Sequence, residues 1–130
     1  MASTPPGHLV LVLHTHLPWV IGHGRWPHGQ DWLHEAIAEC YVPLLRTIDR
    51  LVADGISPKL TIGVTPVLAE MLAAKRLRED FIAYCDERIK RAEADRKAFH
   101  EDGAYGSGQL AANWSDFYAF MQPKGEELWV

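Results

Sequence analysis

The sequence has little cysteine and no long hydrophobic run. Two of its 130 residues are cysteines, Cys40 and Cys85, and the absence of a CxxC pattern argues against a disulfide framework or a thiolate metal site. No stretch approaches the roughly 20 apolar residues of a membrane span, and residues 1–7 do not resemble a secretion signal. We therefore expect a soluble, cytoplasmic protein with no membrane partner, a flexible N-terminus over residues 1–7 and two reduced, buried cysteines.

Basic residues are also few. Lysine and arginine total 13 against 17 aspartates and glutamates, which gives a formal net charge of -4 without a basic block. Nucleic-acid binding depends on clustered positive charge, so this composition argues against a nucleic-acid partner. The glycine-rich stretch Gly103–Gly108 matches no phosphate-binding spacing and follows no strand, so we predict a loop without a phosphate-binding role.

Two short runs predict strands. Leu9–Leu13 is typical of a strand buried on both faces of a parallel sheet, and Lys59–Val64 forms the second predicted strand. Between them, Asp31 is a candidate N-cap for an amphipathic helix that ends at Gly55, and Pro43 predicts a kink or break within it. Strand, helix and strand imply a parallel pair, but two strands cannot make a stable parallel sheet. We therefore predict an α/β fold of which this chain holds only the opening β-α-β part.

Helices are predicted for most of the remaining chain. Pro66 suits the first turn of one helix, and residues 79–102 form a long, mostly solvated helix with a narrow apolar stripe that includes Ile82. The segment Gln109–Met121 forms the last predicted helix, and Pro123–Val130 is short and amphipathic.

Histidine and tryptophan are concentrated near the first predicted strand. Six of the seven histidines lie between His8 and His34, and three of the five tryptophans lie between Trp19 and Trp32. Functional residues of α/β folds lie at the carboxyl ends of strands and in the loops that follow. The loop after the first strand is therefore the candidate site.

His14 and His16 are two residues apart, so their imidazoles lie on one face of an extended backbone. Three interpretations remain open on spacing alone. The pair hydrogen-bonds to sugar hydroxyls or a catalytic carboxylate, binds a metal ion as in HxH-containing hydrolases, or is a structural pair with backbone partners. No pattern this short is specific.

Trp19, Trp26 and Trp32 surround a glycine- and proline-rich loop, where no helix or strand core requires them. An indole offers a flat apolar face and an N–H donor, which suits the apolar faces and polar rims of sugar rings. The alternative is that the tryptophans pack beneath the loop, which applies least to Trp26 beside Pro27. The loop therefore favours the carbohydrate interpretation.

Other polar residues near these elements allow simpler roles. Arg25 and Asp31 either orient a ligand or pair with each other. Glu35 and Glu39 lie four apart on one helix face, a spacing typical of solvated charge. Thr65-Pro66, after the second strand, is a second candidate edge of the pocket.

Five stretches of the sequence together carry a family resemblance that covers most of residues 8–75. They are His14–Val20, Gly24–Pro27, Trp32–Ala36, Tyr41–Leu45 and Leu60–Leu68. These stretches resemble glycoside hydrolase family 57, and most closely its 1,4-α-glucan branching enzyme group. The resemblance implies an incomplete (β/α)7 barrel followed by helices, with residues 1–130 as an N-terminal fragment that packs against the rest of the barrel.

The resemblance also implies a retaining enzyme that acts on an α-1,4-glucan or another polysaccharide without a metal or organic cofactor. His14 and His16 would bind substrate near the nucleophile, and Trp26, Trp32 and Trp19 would contribute to the same site. No residue matches the family's catalytic glutamate or aspartate, so we expect both outside this chain and the chain alone to be inactive. The alternatives are a metal-dependent hydrolase or deacetylase using the HxH pair, and a non-catalytic structural or glucan-binding fragment.

Overall fold

The computed structural model describes residues 7–122, which form two strands and a series of helices. In chain order they are β1 (Leu11–Thr15), α1 (Gln30–Ala36), a π-helical turn (Ile37–Tyr41), α2 (Val42–Ala53), β2 (Leu60–Val64), α3 (Pro66–Ala73), α4 (Lys75–Glu101) and α5 (Tyr105–Met121). The predictions for residues 1–6 and Pro123–Val130 lie outside the described residues. Within the described part, no helix is long and apolar enough to cross a membrane.

β1 and β2 form the predicted parallel pair. Their register runs from Leu11 opposite Leu60 to Thr15 opposite Val64. The Thr15 hydroxyl also donates a hydrogen bond of 2.9 Å to the carbonyl oxygen of Gly63. Because parallel strands run in one direction, both carboxyl ends lie at the same edge of the sheet.

The first strand begins later than predicted and is not covered on both faces. Leu9 and Val10 precede it, because β2 starts at Leu60 and offers them no pairing partner. Val10 is 76% exposed and Val12 63% exposed, so the expected burial is wrong for the described residues. Further strands or helices normally cover side chains of this kind in a parallel sheet.

The predicted disturbance at Pro43 is a π-helical turn. Proline lacks an N–H and crowds the carbonyl four residues earlier, which here belongs to Glu39. The preceding turn is widened, and the Val42 N–H bonds to the carbonyl oxygen of Ile37, five residues back. The helix therefore continues past the proline instead of breaking.

The start of α1 and the position of one cysteine differ from prediction. Gly29, and not Asp31, is the N-cap residue, and Asp31 lies buried in the first turn without a capping bond.

Cys85 is buried as predicted, and burial raises the pKa of its thiol to about 12. Cys40 is exposed, because the π turn changes the helical phase after Ile37 and moves it off the buried stripe.

The core lies among the helices, with α4 at its centre. The predicted long helix over residues 79–102 is present and most of its residues are exposed, but its start and part of its buried face differ from the prediction. The helix begins at Lys75, and Ile82 is exposed because α1 and α5 cover a different and wider face. The largest fully buried side chains are Tyr84, Phe81, Leu33, Leu68, Met71, Leu77, Val20 and Cys85.

The predicted loop Gly103–Gly108 is mostly helical, since α5 begins at Tyr105. Gly103 has a φ of +73°, which suits the turn that ends α4. Gly108 is buried, and a Cβ atom there would lie 2.9 Å from Cδ2 of His100. The glycine therefore permits the close approach of α4 and α5, a tertiary requirement that sequence patterns do not show.

Glu35 and Glu39 are not merely solvated. A carboxylate oxygen of Glu35 accepts a hydrogen bond of 3.0 Å from Arg88 on α4. A carboxylate oxygen of Glu39 accepts one of 2.9 Å from the Tyr118 hydroxyl on α5. Glu35 therefore links α1 to α4, and Glu39 links the π-helical turn to α5.

His34 is a buried polar residue in this aromatic core. It is 3% exposed, and its ring lies 5.9 Å from that of Phe81 and 5.1 Å from that of Tyr84. Neither ring nitrogen has a hydrogen-bond partner among residues 7–122. Burial lowers the pKa of His34 to about 4 because the charged imidazolium would lose its hydration. The histidine is therefore neutral near pH 7.

We expect the free energy of unfolding to fall as the pH drops from about 6.5 to about 4. In the unfolded chain His34 gains a proton near its ordinary pKa of 6.5, whereas the folded chain binds that proton only near pH 4. Acid therefore favours the unfolded state across this window, by on the order of 2–3 kcal/mol. Urea unfolding of the 130-residue chain at a series of pH values measures this loss.

His34→Phe keeps an aromatic ring in the core and removes the titrating group. The variant should lose less stability than the wild-type chain over the same pH range. Replacing the exposed His23 by alanine is the matched control and should preserve the wild-type loss. An unchanged pH profile in His34→Phe would contradict the assignment.

Candidate functional site

His14 and His16 extend from the carboxyl end of β1 in the predicted arrangement. Their rings are nearly parallel, with an interplanar angle of 13° and centroids 6.3 Å apart, and both residues are exposed. The alternation of side chains along extended backbone places both imidazoles on one face. Two donor or acceptor edges are therefore available to one ligand.

A glycine on the neighbouring strand makes room for this pair. Gly63 lies opposite His14 in the sheet, and a Cβ atom at that position would come 3.3 Å from His14 Nδ1. The sequence analysis did not identify Gly63 as a site residue. Its signal is a glycine inside an otherwise apolar strand, which often marks a close approach.

Thr65-Pro66, the second candidate edge of the pocket, forms the N-terminus of α3. The Thr65 side-chain oxygen accepts a hydrogen bond of 3.4 Å from the Leu68 N–H and caps α3, whose first residue is Pro66. The predicted helix start at Pro66 is therefore confirmed. The Thr65 hydroxyl is committed to the backbone beside the carboxyl end of β2.

The long loop after β1 is held by backbone bonds and by glycines. Gly22 and Gly24 have φ angles of +86° and +77°, which favour glycine. The Gln30 N–H donates to the carbonyl oxygen of Gly24 over 2.9 Å, and a Cβ atom on Gly29 would overlap that same carbonyl. The two ends of the 24–29 segment therefore meet closely.

The three tryptophans predicted for the site, Trp19 and Trp26 in this loop and Trp32 in the first turn of α1, differ in exposure. Trp26 is 74% exposed and is the most open of them. Trp19 is half-exposed and donates its indole N–H to the carbonyl oxygen of Ile21 over 3.0 Å. Trp32 is partly exposed and packs against the ring of His28, with centroids 5.6 Å apart. None of the three indoles makes a ring contact with His14 or His16, since within residues 7–122 these two rings contact only each other.

Arg25 and Asp31 pair with each other. The Arg25 Nε and Nη2 atoms donate to the two Asp31 carboxylate oxygens over 2.9 Å and 3.2 Å. Arg25 Nη1 lies 2.6 Å from an oxygen of Glu87 on α4. The bonds to Asp31 and Glu87 raise the pKa of the guanidinium, and the bond from Arg25 lowers the pKa of Glu87. Nothing local in the sequence marks Glu87 as a partner.

Residues 7–122 contain no group of three or more His, Cys, Asp or Glu side chains placed to hold a metal ion. His14 and His16 therefore stand in the described part as two imidazoles without a third ligand. The hydrogen-bonding interpretation of the pair needs no such ligand.

Parts of other proteins are similar to this chain. It is 45% identical over 92 residues to the 1,4-alpha-glucan branching enzyme of Thermococcus kodakarensis, over 71% of this chain and 14% of that enzyme. The crystal structure of the GH57-type branching enzyme of the archaeon Pyrococcus horikoshii is 37% identical, with a TM-score of 0.76 over 88% of this chain and 22% of that one. The α-amylase AmyC of Thermotoga maritima is 25% identical, with a TM-score of 0.70 over 87% and 21%. No protein-family model matches the chain.

The chain therefore spans less than a quarter of each of these three proteins. The resemblance predicted from its sequence stretches is confirmed by the identity and by the superposition. The coarse fold agrees as well, because the described residues form a mostly helical α/β unit with a two-stranded parallel sheet.

We expect Gly63→Val to displace the His14 imidazole, because even the first added carbon would lie 3.3 Å from Nδ1. The variant should keep the strand, since valine is favoured in β-structure. Histidine side-chain NMR signals of His14 should shift clearly. Thr61→Val is the matched control, an exposed position on the same strand, and should leave those signals in place. Equal shifts in both variants would contradict the steric role of Gly63.

Proposed function

We propose, on the premise that this chain belongs to glycoside hydrolase family 57 as a part-length homologue of its branching enzymes, that it forms the N-terminal part of a retaining α-glucan transferase. In this proposal β1, the helical residues from α1 to α2 and β2 are the opening β-α-β unit of an incomplete (β/α)7 barrel. The rest of the barrel covers the exposed apolar residues of the two strands. The expected cytoplasmic location and the absence of a cofactor stay predictions.

The observation that carries the proposal is the histidine pair at the carboxyl edge of the parallel strands. Ligands of α/β folds bind at this edge. The stacked, exposed rings of His14 and His16 offer hydrogen bonds to sugar hydroxyls, and the exposed indole of Trp26 offers an apolar face to a sugar ring. Trp19 on the same loop and Trp32 in the first turn of α1 are also partly exposed and could contribute further indole faces.

The chain supplies binding and not bond cleavage in this proposal. A retaining mechanism needs a nucleophilic carboxylate and an acid/base carboxylate about 5–5.5 Å apart. Glu35 and Glu39 are engaged with Arg88 and Tyr118 in helix packing. The family resemblance implies a glutamate nucleophile and an aspartate acid/base, and we assign both to sequence outside this chain because no residue here matches their motifs. The glucosyl-enzyme formed there passes its glucan to the 6-hydroxyl of an acceptor.

Hydrolysis of an α-glucan is the second candidate function. The likeness to the Thermotoga maritima α-amylase, with a TM-score of 0.70, favours it. The higher identity to the two branching enzymes, 45% and 37% against 25%, favours transfer. Both reactions begin with the same glycosyl-enzyme and differ only in whether water or a sugar hydroxyl attacks it.

Glucan binding is the first test. Maltoheptaose titrated into the chain should change tryptophan fluorescence, and Trp26→Ala should weaken binding about tenfold, equivalent to about 1.4 kcal/mol. Trp114→Ala removes another half-exposed indole, on α5, and should leave the affinity unchanged. Equal affinities in Trp26→Ala and in the wild-type chain would overturn the role of the loop.

Transfer activity is the second test, made in the full-length enzyme that contains this segment. His16→Ala removes a hydrogen-bonding group at the proposed donor subsite and should lower glucan transfer on the order of 10²-fold. Circular dichroism should show an unchanged fold, because His16 is exposed. Wild-type activity in the variant would rule out the proposed role of the histidine pair.

A further inference from the structure

The charged side chain of Arg25 links the segment that carries Trp26 to α1 and to α4. Arg25, the residue before Trp26, binds Asp31 with two bonds of 2.9 Å and 3.2 Å and Glu87 with one of 2.6 Å. Asp31 is buried, with 11% of its side chain exposed. A buried carboxylate needs a partner of opposite charge, so the bidentate bond from Arg25 is a structural requirement.

Apolar packing does not replace these bonds. A cavity of about 310 Å³ lies where the loop, α1 and α4 meet, and most of the residues around it carry polar or charged side chains. The lining residues are Arg25, Gln30, Asp31, His34, Asp80 and Glu87, with Arg76, Ala83 and Tyr84. One more polar bond, of 2.7 Å from Gln30 to Asp80, crosses the same region. Around this cavity, α4 therefore accepts one directional bond from the loop, through Arg25, and one from the start of α1, through Gln30.

The backbone at Arg25 is held as well. Its carbonyl oxygen accepts a bond of 3.3 Å from the Asp31 N–H, and the preceding Gly24 carbonyl accepts one of 2.9 Å from Gln30. Consecutive Cα atoms are about 3.8 Å apart, so Trp26 cannot move far from a fixed Arg25. With the Arg25 side chain turned to α4, the indole of Trp26 remains 74% exposed.

We infer that Arg25, held between Asp31 and Glu87, is a positioning residue that sets the orientation of Trp26 for a sugar ring. Glu87 extends this role to α4, so a residue of the helical part controls glucan affinity without touching the glucan. The inference rests on the proposed role of Trp26 in glucan binding. A preorganised aromatic platform binds more tightly because less side-chain and loop entropy is lost on binding.

Three variants of the 130-residue chain test the inference. Glu87→Gln and Arg25→Gln weaken or remove the charged bonds, and both should raise the dissociation constant of maltoheptaose about three- to tenfold. Arg25→Lys keeps the charge but loses the two-pronged geometry, and should restore part of the affinity lost in Arg25→Gln. Arg96→Gln removes the separate Arg96–Glu93 pair on α4 and is the matched control, with wild-type affinity expected.

The indole N–H signal of Trp26 in two-dimensional NMR provides a readout that needs no ligand. It should shift or broaden in Glu87→Gln and in Arg25→Gln, and stay unchanged in Arg96→Gln. An unchanged Trp26 signal in the first two variants would overturn the inference whether or not the chain binds glucan. Unchanged affinity in those variants, with weakened binding in Trp26→Ala, would overturn it while leaving the proposed function intact. Wild-type binding in Trp26→Ala would instead refute the role of Trp26 in the proposed function, and with it the inference.

Discussion

The parallel pairing of β1 with β2 is the constraint on which the candidate site depends. It places the carboxyl ends of both strands at one edge, so that the long loop and the start of α3 leave the sheet on the same side. It also sets Gly63 opposite His14, where the missing side chain leaves room for the imidazole. A register slip of one residue would turn His14 and His16 to the other face, which is why the pairing decides what the histidines can bind.

α4 connects this strand edge to the helical part of the chain. Its Phe81 and Tyr84 form the aromatic core, while Glu87 and Arg88 bind the loop and α1 through polar bonds. The same helix therefore supplies both non-directional burial and directional contacts. His34 packs against Phe81 and Tyr84 and has no hydrogen-bond partner within the described residues. This burial is tolerated because the neutral imidazole packs as an aromatic ring.

Two independent observations describe the chain as one segment of a larger unit. Val10, directly before β1, and Val12 within it are exposed to solvent, although the composition of this apolar run suits full burial. The similar branching enzymes and amylase are all more than four times as long as the part they share with this chain. The proposed barrel explains both the exposed apolar residues at β1 and the small share of each relative that this chain spans. In that barrel, additional strands and helices complete the sheet.

The sequence by itself determined the order of strands and helices, the parallel pair, the histidine pair on one face and the exposed Trp26. These features depend on local periodicity and on short consecutive motifs, which act within a few residues. The tertiary structure decided what Glu35 and Glu39 bind, at sequence separations of 53 and 79 residues, and it also decided the pairing of Arg25 with Glu87. It likewise decided the need for glycine at position 108, because a Cβ atom there would lie 2.9 Å from His100 Cδ2 where α5 packs against α4. Such contacts depend on how distant elements pack, and no local pattern encodes which charged residue will meet which partner.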